Sequence, residues 1–157
     1  MWFSDRAPLA CFALGLAFLL IAHLPFLTLP YHWDELGQFV PAARDIYRDG
    51  AWVTHSALPN IHPPGVMAAV AIAWKMFGLS IATARLTMLF IAAAGALFSF
   101  LLAIRLARGS PGAPAFAAVA FLIAAPMFYT QSMMVLLDLP AMARRVLSAQ
   151  AAAIQRA

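Results

Sequence analysis

The chain has 157 residues, of which 64% are hydrophobic and 10% are charged, and its formal net charge is +4. Soluble domains are typically about 45–50% apolar and about 25% charged, so this composition indicates an integral membrane protein. The basic residues are scattered at the ends of apolar runs, which argues against nucleic-acid binding, because that function needs a basic patch. A single cysteine, Cys11, excludes an intrachain disulfide and a cysteine metal cluster.

Three apolar runs approach the roughly 20 residues that a membrane-spanning helix needs. They cover residues 8–29, 86–104 and 113–129. A further run at 66–79 is too short to span and carries Lys75, so we expect an interfacial or partly inserted helix there. The sequence therefore predicts an all-α, multi-pass transmembrane fold with about three spanning helices.

The longest polar stretch, residues 30–65, separates the first two runs. Within it, residues 34–49 carry apolar side chains at helical spacing, with Asp34 placed to cap the helix and Gly50 placed to end it. Such an amphipathic helix is expected to lie flat on the membrane surface. Its expected lipid-facing side chains are Leu36, Phe39, Val40 and Ala43.

Arg105 and Arg108 follow the second spanning run with no acid beside them. Because short basic loops stay in the cytoplasm, we expect this loop and the N terminus inside, and the loop at 30–65 outside. A tight turn is expected at residues 110–112, which read Ser-Pro-Gly.

Asp34 and Glu35 are the candidate catalytic residues. A carboxylate at the membrane surface is able to take a proton from an acceptor hydroxyl or amine, which is the work of a general base. Adjacent helical side chains project about 100° apart, so the two acids face different directions. Asp34 stands at the cap position, just before the apolar face of the helix, and this position favours it over Glu35 as the base. The structural alternative is that Asp34 is only a helix cap and Glu35 a first-turn acid favoured by the helix dipole.

His62 and Arg85 are the candidates for binding a phosphate. His62 precedes two prolines at a helix start, where exposed N–H groups suit an anion, although the prolines alone also explain the pattern. Arg85 either extends to the membrane interface or binds an anionic headgroup, since a guanidinium matches phosphate geometry. Asp138 is interpreted as a helix cap, with an acidic site residue as the alternative.

The histidines of the polar loop, His32, His55 and His62, include no pair at the i, i+4 spacing of helical zinc motifs. The sequence therefore assigns no metal site. A divalent metal is left open as an alternative that the residue spacing does not support.

Four short motifs occur along the chain in the same order, and at similar spacing, as in a known group of proteins. They resemble the start of the dolichyl-phosphate-mannose–protein mannosyltransferases, which belong to glycosyltransferase family 39 and have a GT-C fold. The chain is also similar to bacterial lipid A aminoarabinose transferases and other polyprenyl-phosphate-sugar-dependent glycosyltransferases. The resemblance covers about residues 2–142, and its motifs are Trp33-Asp34-Glu35, His62-Pro63-Pro64, Trp74-Lys75-Met76-Phe77-Gly78 and Leu137-Asp138-Leu139-Pro140.

This resemblance implies the inverting transfer of a sugar from an isoprenoid-phosphate carrier to an acceptor hydroxyl or amine, outside a bacterial inner membrane. It implies that Asp34 is the base with Glu35 beside it, and that His62 and Arg85 lie at the donor phosphate. Asp138 matches a further acidic position of the family. The implied partners are membrane lipid, the isoprenoid-phosphate sugar and an unidentified glycan, lipid or protein acceptor.

Residues 1–140 are therefore expected to be the N-terminal part of such an enzyme. The Ala/Arg-rich tail at 141–157 departs from the family pattern, where another span is expected, and it indicates a truncated or frame-shifted reading or a surface helix. The competing interpretation is a small non-enzymatic membrane protein that packs against a larger partner. A transporter component is disfavoured, because no acid lies in the middle of a predicted span.

Overall fold

The computed structural model of the protein describes residues 7–59, 62–107 and 112–155. Arg108 and the first two residues of the predicted turn at 110–112 lie outside these ranges. Within the ranges the chain forms helices and no strand, which confirms the all-α prediction. The α-helices are α1 (Ala7–His23), α2 (Val40–Asp49), α3 (Gly65–Phe77), α4 (Ile81–Leu106), α5 (Gly112–Ala124), α6 (Pro126–Gln131) and α7 (Asp138–Gln155).

Two described segments are long and apolar enough to cross a membrane, Pro8–Phe26 and Ile81–Leu106. The first is α1 continued by a short 3-10 turn, and the second is α4. These segments agree with the first two predicted spans, and by length and composition they are consistent with a membrane protein.

The helix expected over residues 113–129 is broken near its end. Helix α5 stops at Ala124, Ala125 is extended with φ −65° and ψ 123°, and α6 begins at Pro126. Proline lacks an N–H and disfavours a helical conformation in the residue before it, which explains the break. At 1.5 Å per residue, α5 alone is about 20 Å long and falls short of a span.

Helix α4 is the central element of the fold because it contributes to both clusters of buried side chains. Near its start, Ala84 and Met88 lie in a cluster with side chains of α2 and α3. Further along, a second cluster joins α4 to residues of α1, α5, α6 and α7, and its buried α4 side chains are Leu89, Ala92, Ala93, Ala96 and Phe100. The polar loop and the apolar helices are thus anchored on the same helix.

The amphipathic segment predicted at 34–49 packs its apolar face on protein. Leu36 remains 57% exposed, but the buried apolar side chains of the segment share one core with α3. Those side chains are Phe39, Ala42, Ala43 and Ile46 from the amphipathic segment, and Val66, Met67, Val70, Ala71 and Trp74 from α3. The expectation that Phe39 and Ala43 face lipid is therefore wrong, because α3 occupies that position.

Gly50 ends α2 as predicted. It has a left-handed backbone with φ 69°, and its N–H donates to the carbonyl of Ile46. Glycine adopts this conformation without a Cβ clash, so the chain turns here into the loop that leads to α3.

The described part of the tail, residues 141–155, belongs to a single helix, α7, that packs on α4, and the expected boundary between residues 140 and 141 falls inside it. A Cβ added at Gly95 of α4 would lie 3.3 Å from the Met142 Cε and 3.4 Å from the Ala143 Cβ. Farther along, the Gln150 side-chain amide donates to the carbonyl of Phe98 at 2.5 Å. The absence of a side chain at Gly95 therefore allows the two helices to approach closely.

Candidate functional site

Glu35 is fully buried, and four N–H donors hold its carboxylate. Arg85 Nη1 donates to Oε1 at 2.6 Å and Nη2 donates to Oε2 at 3.1 Å. The backbone N–H of Val135 donates to Oε1 at 2.7 Å, and that of His32 donates to Oε2 at 2.8 Å. A buried carboxylate needs a partner of this kind, because an unpaired charge is costly away from water.

Arg85 is only 2% exposed, so the interpretation that it extends to the interface is wrong. Its guanidinium also donates to the carbonyls of Met133 at 3.0 Å and Pro30 at 3.2 Å, and its Cζ lies 5.2 Å from the ring centroid of Tyr31. These contacts turn its Nη atoms toward protein acceptors. Its role at a donor phosphate stays a prediction.

Tyr31 lies against this ion pair. Burial raises the pKa of the Tyr31 hydroxyl to about 12; the positive charge of Arg85 opposes the increase, and the negative charge of Glu35 adds to it. The neutral phenol is therefore the stable form beside the pair well above neutral pH.

The ion pair joins three separate parts of the chain: the residues just after α1, the start of α4, and the turn before α7. The end of α1 and the start of α4 consequently lie on the same side of the molecule. The position of the neighbouring residue, Asp34, is fixed by the same contacts.

A π-helical turn, Glu35–Phe39, follows directly and leads into α2. The N–H of Val40 donates to the carbonyl of Glu35, five residues back. Turns of this kind are rare and frequently occur at functional sites.

Asp34, just before this turn, has helical dihedral angles of −67° and −32°, and its side chain makes no capping hydrogen bond. The helix-cap interpretation of Asp34 is therefore wrong. Its side chain is exposed.

Asp34 and His62 line the same open pocket, which has a volume of about 440 Å³. The His62 ring lies 5.7 Å from the ring of Phe39, between centroids. The pocket thus combines a carboxylate and an imidazole with an exposed aromatic side chain, Trp33, which is 84% exposed. Its other lining residues are Gly37, Gln38, Leu58 and Pro59.

Gln38, Leu58 and Pro59 are pocket residues that the sequence motifs do not include. Gln38 follows Asp34 by four residues, and this spacing places two side chains on the same face of a helix. Helical periodicity was therefore enough to predict that Gln38 lies beside Asp34. Nothing comparable points to Leu58 and Pro59, which reach the pocket only because the loop after α2 folds back.

Asp138 is exposed at the start of α7 and accepts a hydrogen bond from the Gln131 side-chain amide at 3.2 Å. It is not among the residues that line the pocket of Asp34 and His62. Of the predicted site residues, the structure thus brings Asp34 and His62 together, buries Glu35 with Arg85, and leaves Asp138 outside the pocket.

Comparisons with models of protein families, with curated proteins and with solved structures found no match to this chain. The resemblance to polyprenyl-phosphate-sugar-dependent glycosyltransferases therefore rests on the motifs in the sequence.

Proposed function

We propose that this chain is the N-terminal part of a membrane-embedded glycosyltransferase whose donor is a sugar carried on an isoprenoid phosphate. The observation that carries the proposal is the division between two adjacent acids. Glu35 is sequestered by Arg85, whereas Asp34 is exposed in a pocket with His62. One acid is thus available for proton transfer while the other holds the site in place.

In the proposed reaction, the oxygen or nitrogen of the acceptor attacks the anomeric carbon of the sugar from the face opposite the carrier phosphate. The Asp34 carboxylate takes the proton of the attacking group. The bond between the anomeric carbon and the phosphate oxygen breaks, and the carrier phosphate leaves with that electron pair. In this step His62 donates a hydrogen bond to the departing phosphate, and the configuration at the anomeric carbon is inverted.

In this proposal Arg85 acts through Glu35, and a direct contact of Arg85 with the donor phosphate stays a prediction. Its hydrogen bonds to Glu35 and to the Pro30 carbonyl hold the chain after and before Asp34, which makes Arg85 and Glu35 positioning residues. Asp138 has no assigned step.

The proposed location is a bacterial inner membrane, with the N terminus in the cytoplasm and the pocket outside. Arg105 at the end of α4 supports this orientation, because basic residues favour the cytoplasmic side. Helices α5 and α6 together supply the proposed third span, with the break at Pro126 near its outer end.

The test is sugar transfer in membranes from cells that express the protein, supplied with radiolabelled polyprenyl-phosphate sugar. Asp34→Asn is expected to lower the transfer rate by about 10²–10⁴-fold, the usual contribution of a general base. Its stability should not change, since Asp34 makes no capping bond. Arg144→Gln, at an exposed position on α7, is the control and is expected to keep the wild-type rate.

Equal rates for the wild type and Asp34→Asn would contradict the assignment of the base. Absence of transfer by the wild type would contradict activity of this chain by itself and favour a chain that acts only together with a larger membrane partner.

A further inference from the structure

A second cluster of polar side chains lies at the end of α2, outside the pocket of Asp34. Asp45 and Asp49 stand one helical turn apart on α2, and His55 comes from the loop that follows. One ligand atom from each residue lies within 4.8 Å of the other two. His55 Nε2 is 3.1 Å from Asp49 Oδ2 and 3.9 Å from Asp45 Oδ1.

Asp45 is the fixed member of the cluster. It is only 3% exposed, and its Oδ2 accepts hydrogen bonds from the backbone N–H groups of His55 at 2.9 Å and Ser56 at 3.0 Å. Its other oxygen, Oδ1, faces the His55 ring at a distance beyond hydrogen bonding. A buried carboxylate with one oxygen anchored and the other directed toward an imidazole is oriented as a metal ligand is, because outer partners usually fix such ligands.

We propose that Asp45, Asp49 and His55 form a binding site for a divalent transition-metal ion, with zinc as the best fit. Zinc takes His nitrogen and carboxylate oxygen at about 2.0–2.2 Å, so its ligand atoms stand roughly 3–3.5 Å apart. The side chains of Asp49 and His55 are more than half exposed, so they have room to turn toward this geometry. The imidazole ligand favours zinc over calcium and magnesium, which prefer oxygen.

The spacing of the histidines alone does not reveal this site, because two of its three proposed ligands are aspartates. Asp45 and Asp49 have the i, i+4 spacing that places two ligands on one helical face. Their third partner, His55, lies beyond the Gly50 turn, and only the fold brings it back.

A metal ion here would join the end of α2 to the loop at 51–59. Leu58 and Pro59 in that loop form one wall of the pocket that contains Asp34. The bound ion would therefore order the pocket wall without entering the pocket.

The experiment is Zn²⁺ titration by calorimetry of the purified full chain in detergent, after removal of any affinity tag. Wild-type protein is expected to bind one Zn²⁺, and Asp49→Asn and His55→Gln are each expected to weaken binding at least tenfold. Both altered side chains are more than half exposed, so neither substitution is expected to unfold the protein. His32→Gln, an exposed histidine in the same polar loop, is the matched control and should bind as the wild type does.

Co²⁺ in place of Zn²⁺ adds a readout of the ligands. Its visible absorption bands should appear in the wild type and in His32→Gln, and disappear in His55→Gln. The absence of Zn²⁺ binding by the wild type, or equal affinity in all four proteins, would overturn the proposal. Neither result depends on glycosyl transfer, so this test and that of the proposed function fail independently.

Discussion

Arg85 and Glu35, 50 positions apart in the chain, face each other through two hydrogen bonds of 2.6 and 3.1 Å. Both side chains are at most 2% exposed. A pair of this kind contributes little compared with a well-packed apolar pair, but the loss of one partner leaves the other charge buried and alone.

Glu35→Gln should therefore destabilise the protein by about 3–5 kcal/mol, the usual cost of breaking a buried ion pair. Gln has nearly the same size as Glu, so the loss of stability measures the effect of removing the negative charge. Unfolding in mixed micelles, followed by circular dichroism against denaturant concentration, measures it. The double variant Glu35→Leu with Arg85→Met is the control, and it should lose less stability than Glu35→Gln alone. A single variant within about 1 kcal/mol of the wild type would mean that the pair is solvated.

Tyr31 should titrate at unusually high pH. Its folded-state pKa of about 12 lies above the value near 10 of an unfolded tyrosine, so the neutral phenol stabilises the folded state. That contribution is complete below about pH 10 and is lost as the pH rises toward 12. Absorbance of the phenolate at 295 nm, measured for the wild type minus Tyr31→Phe, should have its midpoint near pH 12. A midpoint near pH 10 would contradict the burial of the hydroxyl.

The two ends of α4 should face opposite sides of the membrane. On a Cys11→Ser background, Val53→Cys in the polar loop and Leu106→Cys at the end of α4 place single thiols at positions that are 73% and 68% exposed. A membrane-impermeant maleimide should label Val53→Cys in cells with an intact inner membrane. Leu106→Cys should react only after that membrane is disrupted. The reverse pattern would overturn the proposed orientation and move the pocket to the cytoplasm.

Gly95→Val should weaken the packing of α7 on α4. Even a Cβ at Gly95 would lie 3.3 Å from Met142 and 3.4 Å from Ala143, so the larger side chain forces the helices apart. Overpacking of this kind costs about 1–3 kcal/mol. Gly15→Val on α1 is the matched control, because a Cβ there meets only Ile123 at 3.9 Å, an ordinary contact. Equal losses of stability in both variants would mean that α7 does not pack on α4 as described.

The sequence was sufficient where one local property decides the structure. Hydrophobic length predicted the apolar segments of α1 and α4, and the conformational freedom of Gly50 predicted the end of α2. The same reasoning failed for Phe39 and Ala43, because an amphipathic helix has the same pattern whether its partner is lipid or another helix. Pro126 was placed inside a span, although its missing N–H was enough to predict a break.

The candidate site was predictable in its residues but not in their arrangement. The polar loop identified Asp34, Glu35 and His62 as candidates, and helical geometry separated the two acids. No periodic pattern relates Glu35 to Arg85, since their pairing depends on how α4 returns beside the residues that follow α1. The ligands of the proposed metal site were hidden for the same reason, because a turn separates His55 from Asp45.

The π-helical turn from Glu35 to Phe39 is held in place at both of its ends. Glu35 is held by Arg85 at one end, and Phe39 is held in the core with α3 at the other. Five residues of a π-helical turn advance around the helix axis about as far as four residues of an α-helix, so the turn holds one extra residue without changing how its two ends face. A side chain added at Gly37 meets no atom within 4 Å, so substitution there is tolerated. Sequences that share this site should therefore vary at this position, and one with a residue fewer here should keep both ends in place in an ordinary α-helix.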